Sequence, residues 1–193
     1  MWEQLLDWDT EIFIYLNNLG SEPYDAFWST ATNITTWIPL FILFFVLVWL
    51  KYPRKQALWV TLIIVAFILF ITGATNITKE LVERLRPNND PSINALIRIL
   101  KRPISYSFFS GHASTSFGVT TLVVLFLRKR VKWVWLFYLW PFIFAYSRIY
   151  VGVHFPLDIL IGTTVGLLSA ILFYSVYKRS KHPAYGKPIS NRE

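Results

Sequence analysis

Four stretches of this 193-residue chain carry almost no charge, and they limit the possible folds more than any other feature. Residues 26–50 and 56–78 contain no Asp, Glu, Lys or Arg; 103–127 holds only His112; and 133–177 holds Arg148, His154 and Asp158 near its middle. A helix that crosses about 30 Å of hydrocarbon needs roughly 20 mostly apolar residues. Soluble helices seldom run that far without a polar face. The last stretch is long enough for two crossings with a turn around Gly152 and Pro156. The pattern predicts an all-α, polytopic transmembrane helix bundle of five spans, at about 34–50, 57–77, 110–127, 133–151 and 157–177. Composition agrees, since a chain that is 54% hydrophobic and only 16% charged has too little polar material to cover itself in water.

Residues 1–33 read differently. The first 25 carry six acids and no base, with Trp2, Leu5, Leu6, Trp8, Ile12, Phe13, Tyr15, Leu16 and Leu19 at helical spacing. This predicts an interfacial amphipathic helix or a partial span, not a signal peptide, which needs a basic start. Residues 34–177 are the expected transmembrane bundle, and 178–193 a basic cytoplasmic tail. Lys51, Arg54 and Lys55, then Arg128, Lys129, Arg130 and Lys132, then five basic residues after 177 make up twelve of the 19 Lys and Arg. In a five-span chain all twelve lie on one side, and the positive-inside rule makes that side cytoplasmic. Membrane topology thus accounts for most of the +8 formal charge, and a nucleic-acid partner is not expected. With no cysteine there is no disulfide framework and no thiol chemistry.

Seven basic residues remain on the outer side: Lys79, Arg84, Arg86, Arg98, Lys101, Arg102 and Arg148. Three clusters converge there. Lys79 and Arg86 are seven apart, two turns of a helix that Pro87 would end, so they share a face from which Arg84 points away. Two cations on one face suit a multiply charged anion, though snorkelling to headgroups gives the same pattern. In Ser110-Gly111-His112 the serine can cap a helix, the glycine allows close backbone approach, and the free N–H groups make a phosphate pocket. A small-residue packing seam of Gly111, Ala113, Ser114, Ser116 and Gly118 accounts for the same stretch, and both can hold together. Arg148, His154 and Asp158 form the third cluster; His154 and Asp158 lie one turn apart, so the carboxylate can orient the imidazole. Two histidines and one aspartate could in principle hold a metal, but three nearby cations would repel it.

These motifs resemble the PAP2 superfamily, the type 2 phosphatidic acid phosphatases and their relatives. The family pattern is a lysine, six residues and Arg-Pro; then Pro-Ser-Gly-His; then Ser-Arg, five residues, His, three residues and Asp. Here Lys79 precedes Arg86-Pro87, Ser110-Gly111-His112 follows, and Ser147-Arg148 precedes His154 and Asp158. Phe109 stands where the family usually has proline. The resemblance implies a metal-independent, cofactor-free phosphohydrolase. His154 would be the nucleophile that forms a phosphohistidine, Asp158 its orienting carboxylate and His112 the general acid. Lys79, Arg86, Ser110, Gly111 and Arg148 would bind the phosphoryl oxygens.

The expected partners are a membrane lipid phosphate as substrate and the bilayer itself; oligomeric state is open. An apolar stretch at 93–100 is expected to form a small helix leaning on the membrane, with Arg98, Lys101 and Arg102 free to meet headgroups or a second phosphate. The compact size resembles the prokaryotic members, so a multi-pass protein of the bacterial cytoplasmic membrane is expected, and the charge placement puts its active site on the periplasmic or extracellular face. Undecaprenyl-diphosphate hydrolysis and phosphate transfer to another acceptor are narrower alternatives. An anion transporter or a lipid-binding scaffold is the non-enzymatic one. The transporter would need polar residues deep in the spans, and the scaffold would need His112, His154 or Asp158 to be missing.

Overall fold

The computed structural model describes residues 2–180, and all regular structure in that range is helical. The order is α1 (Trp2–Asn18), α2 (Asp25–Ala31), α3 (Ile38–Lys51), α4 (Arg54–Val82), α5 (Gly111–Leu127), α6 (Leu139–Tyr150) and α7 (Pro156–Ser180), with short 3-10 turns between them. The expected tail beyond Ser180 lies outside the described residues.

The expected five spans are corrected to three. Among the described residues, Ile34–Lys51, Arg54–Asn89 and Pro156–Ser180 are long and apolar enough to cross a membrane. At about 1.5 Å per residue, the 17 residues of α5 cover roughly 25 Å and the 12 of α6 roughly 18 Å, short of about 30 Å of hydrocarbon. Burial explains why their sequences misled. Thirteen of the 17 residues of α5 are buried, and eight of the 12 in α6. By contrast α3 buries only Phe44 and Val48, and α7 only Asp158, Gly162, Gly166 and Ala170. A helix that is apolar all round suits either lipid or the centre of a protein; α5 is at the centre, while α3, α4 and α7 present apolar faces outward.

The core follows this arrangement. Phe67 and Ile71 of α4, Leu122 and Val123 of α5, and Trp140 and Phe144 of α6 pack together, with Phe44 and Val48 of α3 closing one side. A smaller cluster of Phe13, Ile93, Ile149 and Phe155 joins α1 to α6 and to the start of α7.

Helix α1 is present, and the face it turns inward mixes polar and aromatic side chains. Trp8, Ile12 and Tyr15 are 54%, 50% and 66% exposed, whereas Asp9, Phe13 and Asn17 are buried. The side chain of Asn17 donates to the carbonyls of Arg98, Ile149 and Tyr150 and accepts from the Arg98 N–H, which fastens α1 to the rest of the protein. In a bilayer the apolar side can face lipid while polar side chains satisfy the interior.

Two local expectations change as well. Residues 93–100 form only a 3-10 turn, Asn94–Leu96, because Ile93, Ile97 and Leu100 are taken up by the inner clusters rather than by the membrane. Helix α4 stops at Val82, with Glu83 left-handed at φ 52° and Arg86 extended at φ −78°, ψ 153°. Lys79 and Arg86 therefore do not share a helical face; the bias that Pro87 imposes on the preceding residue is met by an extended segment that begins four residues earlier.

Helices α5 and α7 approach almost backbone to backbone. A Cβ at Gly162 would stand 2.6 Å from the Ser110 carbonyl oxygen, and one at Gly166 only 2.3 Å from that of Ser114. Gly118, on the same seam, faces the Phe67 ring. The small-residue seam read from the sequence is real and continues onto α7. Gly166→Ala is expected to cost roughly 1–3 kcal/mol by forcing the helices apart, seen as a lowered thermal midpoint in detergent; an unchanged midpoint would contradict this packing.

Candidate active site

The three clusters read from the sequence meet at one end of the bundle. The turn that brings them together lies where α6 ends: Gly152 adopts φ 82°, and a Cβ there would stand 2.6 Å from the Arg98 carbonyl oxygen. Glycine meets both demands. The chain then passes through His154 and enters α7 at Pro156.

His154 is fully buried in the loop before α7. Its Nδ1 lies 3.3 Å from Asp158 Oδ2, and Arg86 Nη1 lies 3.0 Å from its Nε2. The guanidinium can only donate, so Nε2 is the bare nitrogen and Nδ1 carries the proton. Burial, followed by the charges of Arg86, Arg148 and Lys79, holds this imidazole well below its usual range and keeps it neutral at pH 7.

Asp158 is also fully buried and uses both oxygens. Oδ2 accepts from the Phe155 N–H at 3.1 Å as well as from His154, and Oδ1 accepts from Arg84 Nη1 at 2.8 Å. The sequence placed Arg84 away from the site; the left-handed turn at Glu83 brings it in. Ser107 holds the segment there, its N–H donating to the Arg84 carbonyl at 2.8 Å. Arg84 Nη2 also donates to Asp9 Oδ2 at 2.6 Å, and Asp9 Oδ1 accepts from the Leu157 N–H at 2.7 Å. A run of polar contacts therefore reaches from α1 to the imidazole: Asp9, Arg84, Asp158, His154. Arg84 alone would neutralise Asp158, and Asp9 balances it, leaving one net negative charge against the ring.

Sequence reasoning missed Asp9 and Arg84. The available signal was the four-residue spacing of Asp9, Phe13 and Asn17, which puts two polar groups and one aromatic ring on one helical face.

The anion-binding side is built from several elements. Arg86 is fixed by the Ser105 carbonyl at 2.7 Å and the Val153 carbonyl at 2.9 Å. Arg148, buried on α6, donates from Nη1 to Thr32 Oγ1, while its Nε has no partner among the described residues. Lys79 is half-buried and makes no hydrogen bond or ion pair among the described residues. Ser110 is the N-cap of α5: its hydroxyl accepts from the Ala113 N–H at 3.4 Å, and its own N–H donates to the Asp158 carbonyl at 3.0 Å. The N–H groups of Gly111 and His112, in the first turn, have no intrahelical acceptor.

His112 lies against Phe144, the rings tilted by 40° with centroids 5.0 Å apart. Burial, then Arg148, His154, Arg86 and Lys79, push its pKa well below the usual value. The same influences show that both histidines feel the three cations. His112 borders two cavities. An apolar one of about 450 Å³ runs between α3, α4, α5 and α6 and is lined by residues such as Phe41, Phe44, Ile64, Val119 and Phe144. A polar one of about 530 Å³ is lined by Thr32, Thr35, Lys101, Arg102 and Arg148. Among the described residues, no group of three or more His, Asp or Glu is placed to hold a metal ion.

A family model described as the PAP2 superfamily matches residues 60–182. The chain is 33% identical over 181 residues to a lipid A 4'-phosphatase of Bacteroides thetaiotaomicron, covering 91% of this chain and 80% of the relative. It is 34% identical over 185 residues to an undecaprenyl-diphosphatase of Sulfolobus acidocaldarius, covering 94% and 83%. Its fold is similar to the crystal structure of a transmembrane PAP2-type phosphatidylglycerolphosphate phosphatase from Bacillus subtilis, with a TM-score of 0.71 and 22% identity over 91% of this chain and 87% of that one.

Removing the balance that Asp9 provides is expected to be costly. Asp9→Asn leaves the Arg84 charge uncompensated beside Asp158, and phosphate release should slow about tenfold, close to the value of one charge-assisted hydrogen bond. The loss should fall on kcat rather than KM, and Asp9→Glu should recover part of it. Full activity in Asp9→Asn would show that the contact only docks α1.

Proposed function

Because the chain belongs to the PAP2 superfamily, we propose that it hydrolyses lipid phosphates without a metal, through a phosphohistidine formed on His154. It is a lipid phosphate phosphatase embedded in a membrane. The observation that carries the mechanism is the bare Nε2 of His154, held by Asp158 on its far side and set among Arg86, Arg148 and Lys79.

The phosphoryl group sits between His154 and the first turn of α5. Its oxygens take hydrogen bonds from Arg86, Arg148, Lys79 and the Gly111 N–H, with the Ser110 hydroxyl beside them. Arg86 now donates to His154 Nε2; on substrate binding it turns to a phosphoryl oxygen and frees the lone pair. Nε2 attacks phosphorus as the bond to the leaving oxygen breaks. Asp158 stabilises the positive charge that develops on the ring.

In the empty site His112 is neutral, because burial and then the neighbouring cations disfavour its charged form. The incoming phosphate offsets those charges and raises its proton affinity, so that it takes up a proton from the substrate's phosphate or from solvent. His112 then gives that proton to the leaving oxygen. Water then attacks phosphorus, His112 takes the proton, the P–N bond breaks, and phosphate is released. The guanidinium and ammonium groups do the electrostatic work that a metal does in other phosphatases.

The apolar cavity at His112 supports a substrate whose tail lies between α3, α4, α5 and α6 while its head reaches the cations. The placement of charge supports an outward-facing site. Lys51, Arg54, Lys178 and Arg179 mark one end of the three spans. Arg130 joins them, lying over the Tyr52 ring at 4.3 Å. The active-site residues are at the other end, which the positive-inside rule assigns to the periplasmic or extracellular face, with the C-terminus cytoplasmic.

The test is phosphate release from a panel of lipid phosphates in detergent. His154→Ala should abolish turnover, and His112→Ala should lower it roughly 10²–10⁴-fold. Vanadate should inhibit, and a chelator should leave the rate intact. Equal release by the wild type and His154→Ala would overturn the assignment.

A further inference from the structure

Two cations beside the site have no partner. Arg98 is bound to both oxygens of Asp25 at 2.7 Å, so it is not free for a ligand. Lys101 and Arg102 make no hydrogen bond or ion pair among the described residues, and both line the polar cavity with Thr32, Thr35, His112 and Arg148. Among the described residues, no Asp or Glu lines that cavity. Free cations gathered without a counter-charge around a cavity are arranged for an anion.

The position of His112 says which part of a substrate that anion belongs to. His112 borders both cavities, and in the phosphatase reading it stands on the leaving-group side. Arg148, which that reading sets on the scissile phosphoryl group, lines the polar cavity together with Lys101 and Arg102. A group bonded to the leaving oxygen at His112 therefore adjoins Lys101 and Arg102, with the apolar cavity open to the tail behind it. A lipid monophosphate offers no charge there. A lipid diphosphate offers its inner phosphate.

We propose that Lys101 and Arg102 form a subsite for a second phosphate, which makes this chain selective for lipid diphosphates; the inference rests on the phosphatase reading above. In the reaction His154 Nε2 attacks the outer phosphorus, and the bond from that phosphorus to the bridging oxygen breaks. The bridging oxygen leaves on the lipid monophosphate, with the proton from His112 or as an additional negative charge. That charge grows beside Lys101 and Arg102, so the pair favours the transition state over the bound substrate.

The test compares farnesyl diphosphate with farnesyl monophosphate in neutral detergent, for the wild type, Lys101→Ala/Arg102→Ala and the charge-keeping Lys101→Arg/Arg102→Lys. The wild type should prefer the diphosphate. In the double alanine variant the ratio of the two kcat/KM values should fall at least tenfold, and the charge-keeping variant should retain it. A ratio unchanged within about twofold overturns the subsite, whether both rates fall or neither does. A loss seen only in vesicles of anionic phosphatidylglycerol, equal for both substrates, also overturns it by assigning the pair to neighbouring headgroups. Failure of the wild type to release phosphate from any lipid would instead remove the phosphatase reading itself.

Discussion

A carboxylate with no exposure to solvent is the constraint on which the rest of the site depends. Asp158 holds the His154 proton from inside the protein, where a carboxylate without partners is costly. Three donors from two parts of the chain meet its oxygens: the Phe155 N–H and the imidazole just before α7, and Arg84 after α4. Arg84 in turn needs Asp9, and Asp9 needs α1 docked through Asn17. The catalytic end of the bundle is therefore one electrostatic unit, assembled from α1, the segment after α4, and the start of α7.

The bilayer determines how the remaining helices are arranged. Apolar side chains on α3, α4 and α7 gain little from packing on each other when lipid is available, so contact depends on close approach and on polar satisfaction. Gly162 and Gly166 provide the first and the buried polar groups the second. The short helices α5 and α6 lie inside that ring, where their apolar character is used for protein packing. Their length then matters less than what they position: α5 presents its N–H groups, and α6 presents Arg148.

Much of the site was legible in the chain because charged residues inside apolar stretches are rare and costly. Arg148, His154 and Asp158 stood out for that reason, and the turn at Gly152–Pro156 followed from the length of the apolar stretch around them. Ser110 as a cap was also readable, since a serine before a run of helix formers is a local signal. The span count was not readable, because a helix buried in protein and one buried in lipid have the same composition; α5 shows this most clearly. Nor was the path of residues 83–86, where a single left-handed residue redirects two arginines. Asp9 was hidden because Glu3, Asp7 and Glu11 stand on the same helix and remain exposed, so composition does not single out the one acid that turns inward.

The seam between α5 and α7 makes the two walls of the apolar cavity unequal. With carbonyl oxygens against glycines there is no slack on one side, and the catalytic head groups are mounted on that stiff half. The opposite wall, α3, buries Phe44 and Val48, packs Leu40, Phe41 and Leu47 only in part, and carries no glycine. Accommodation of a bulky or kinked tail falls to this compliant wall, while the reacting atoms keep their registration. In the lipid-phosphate reading proposed above, such an arrangement would hold the phosphoryl end more closely than the chain behind it.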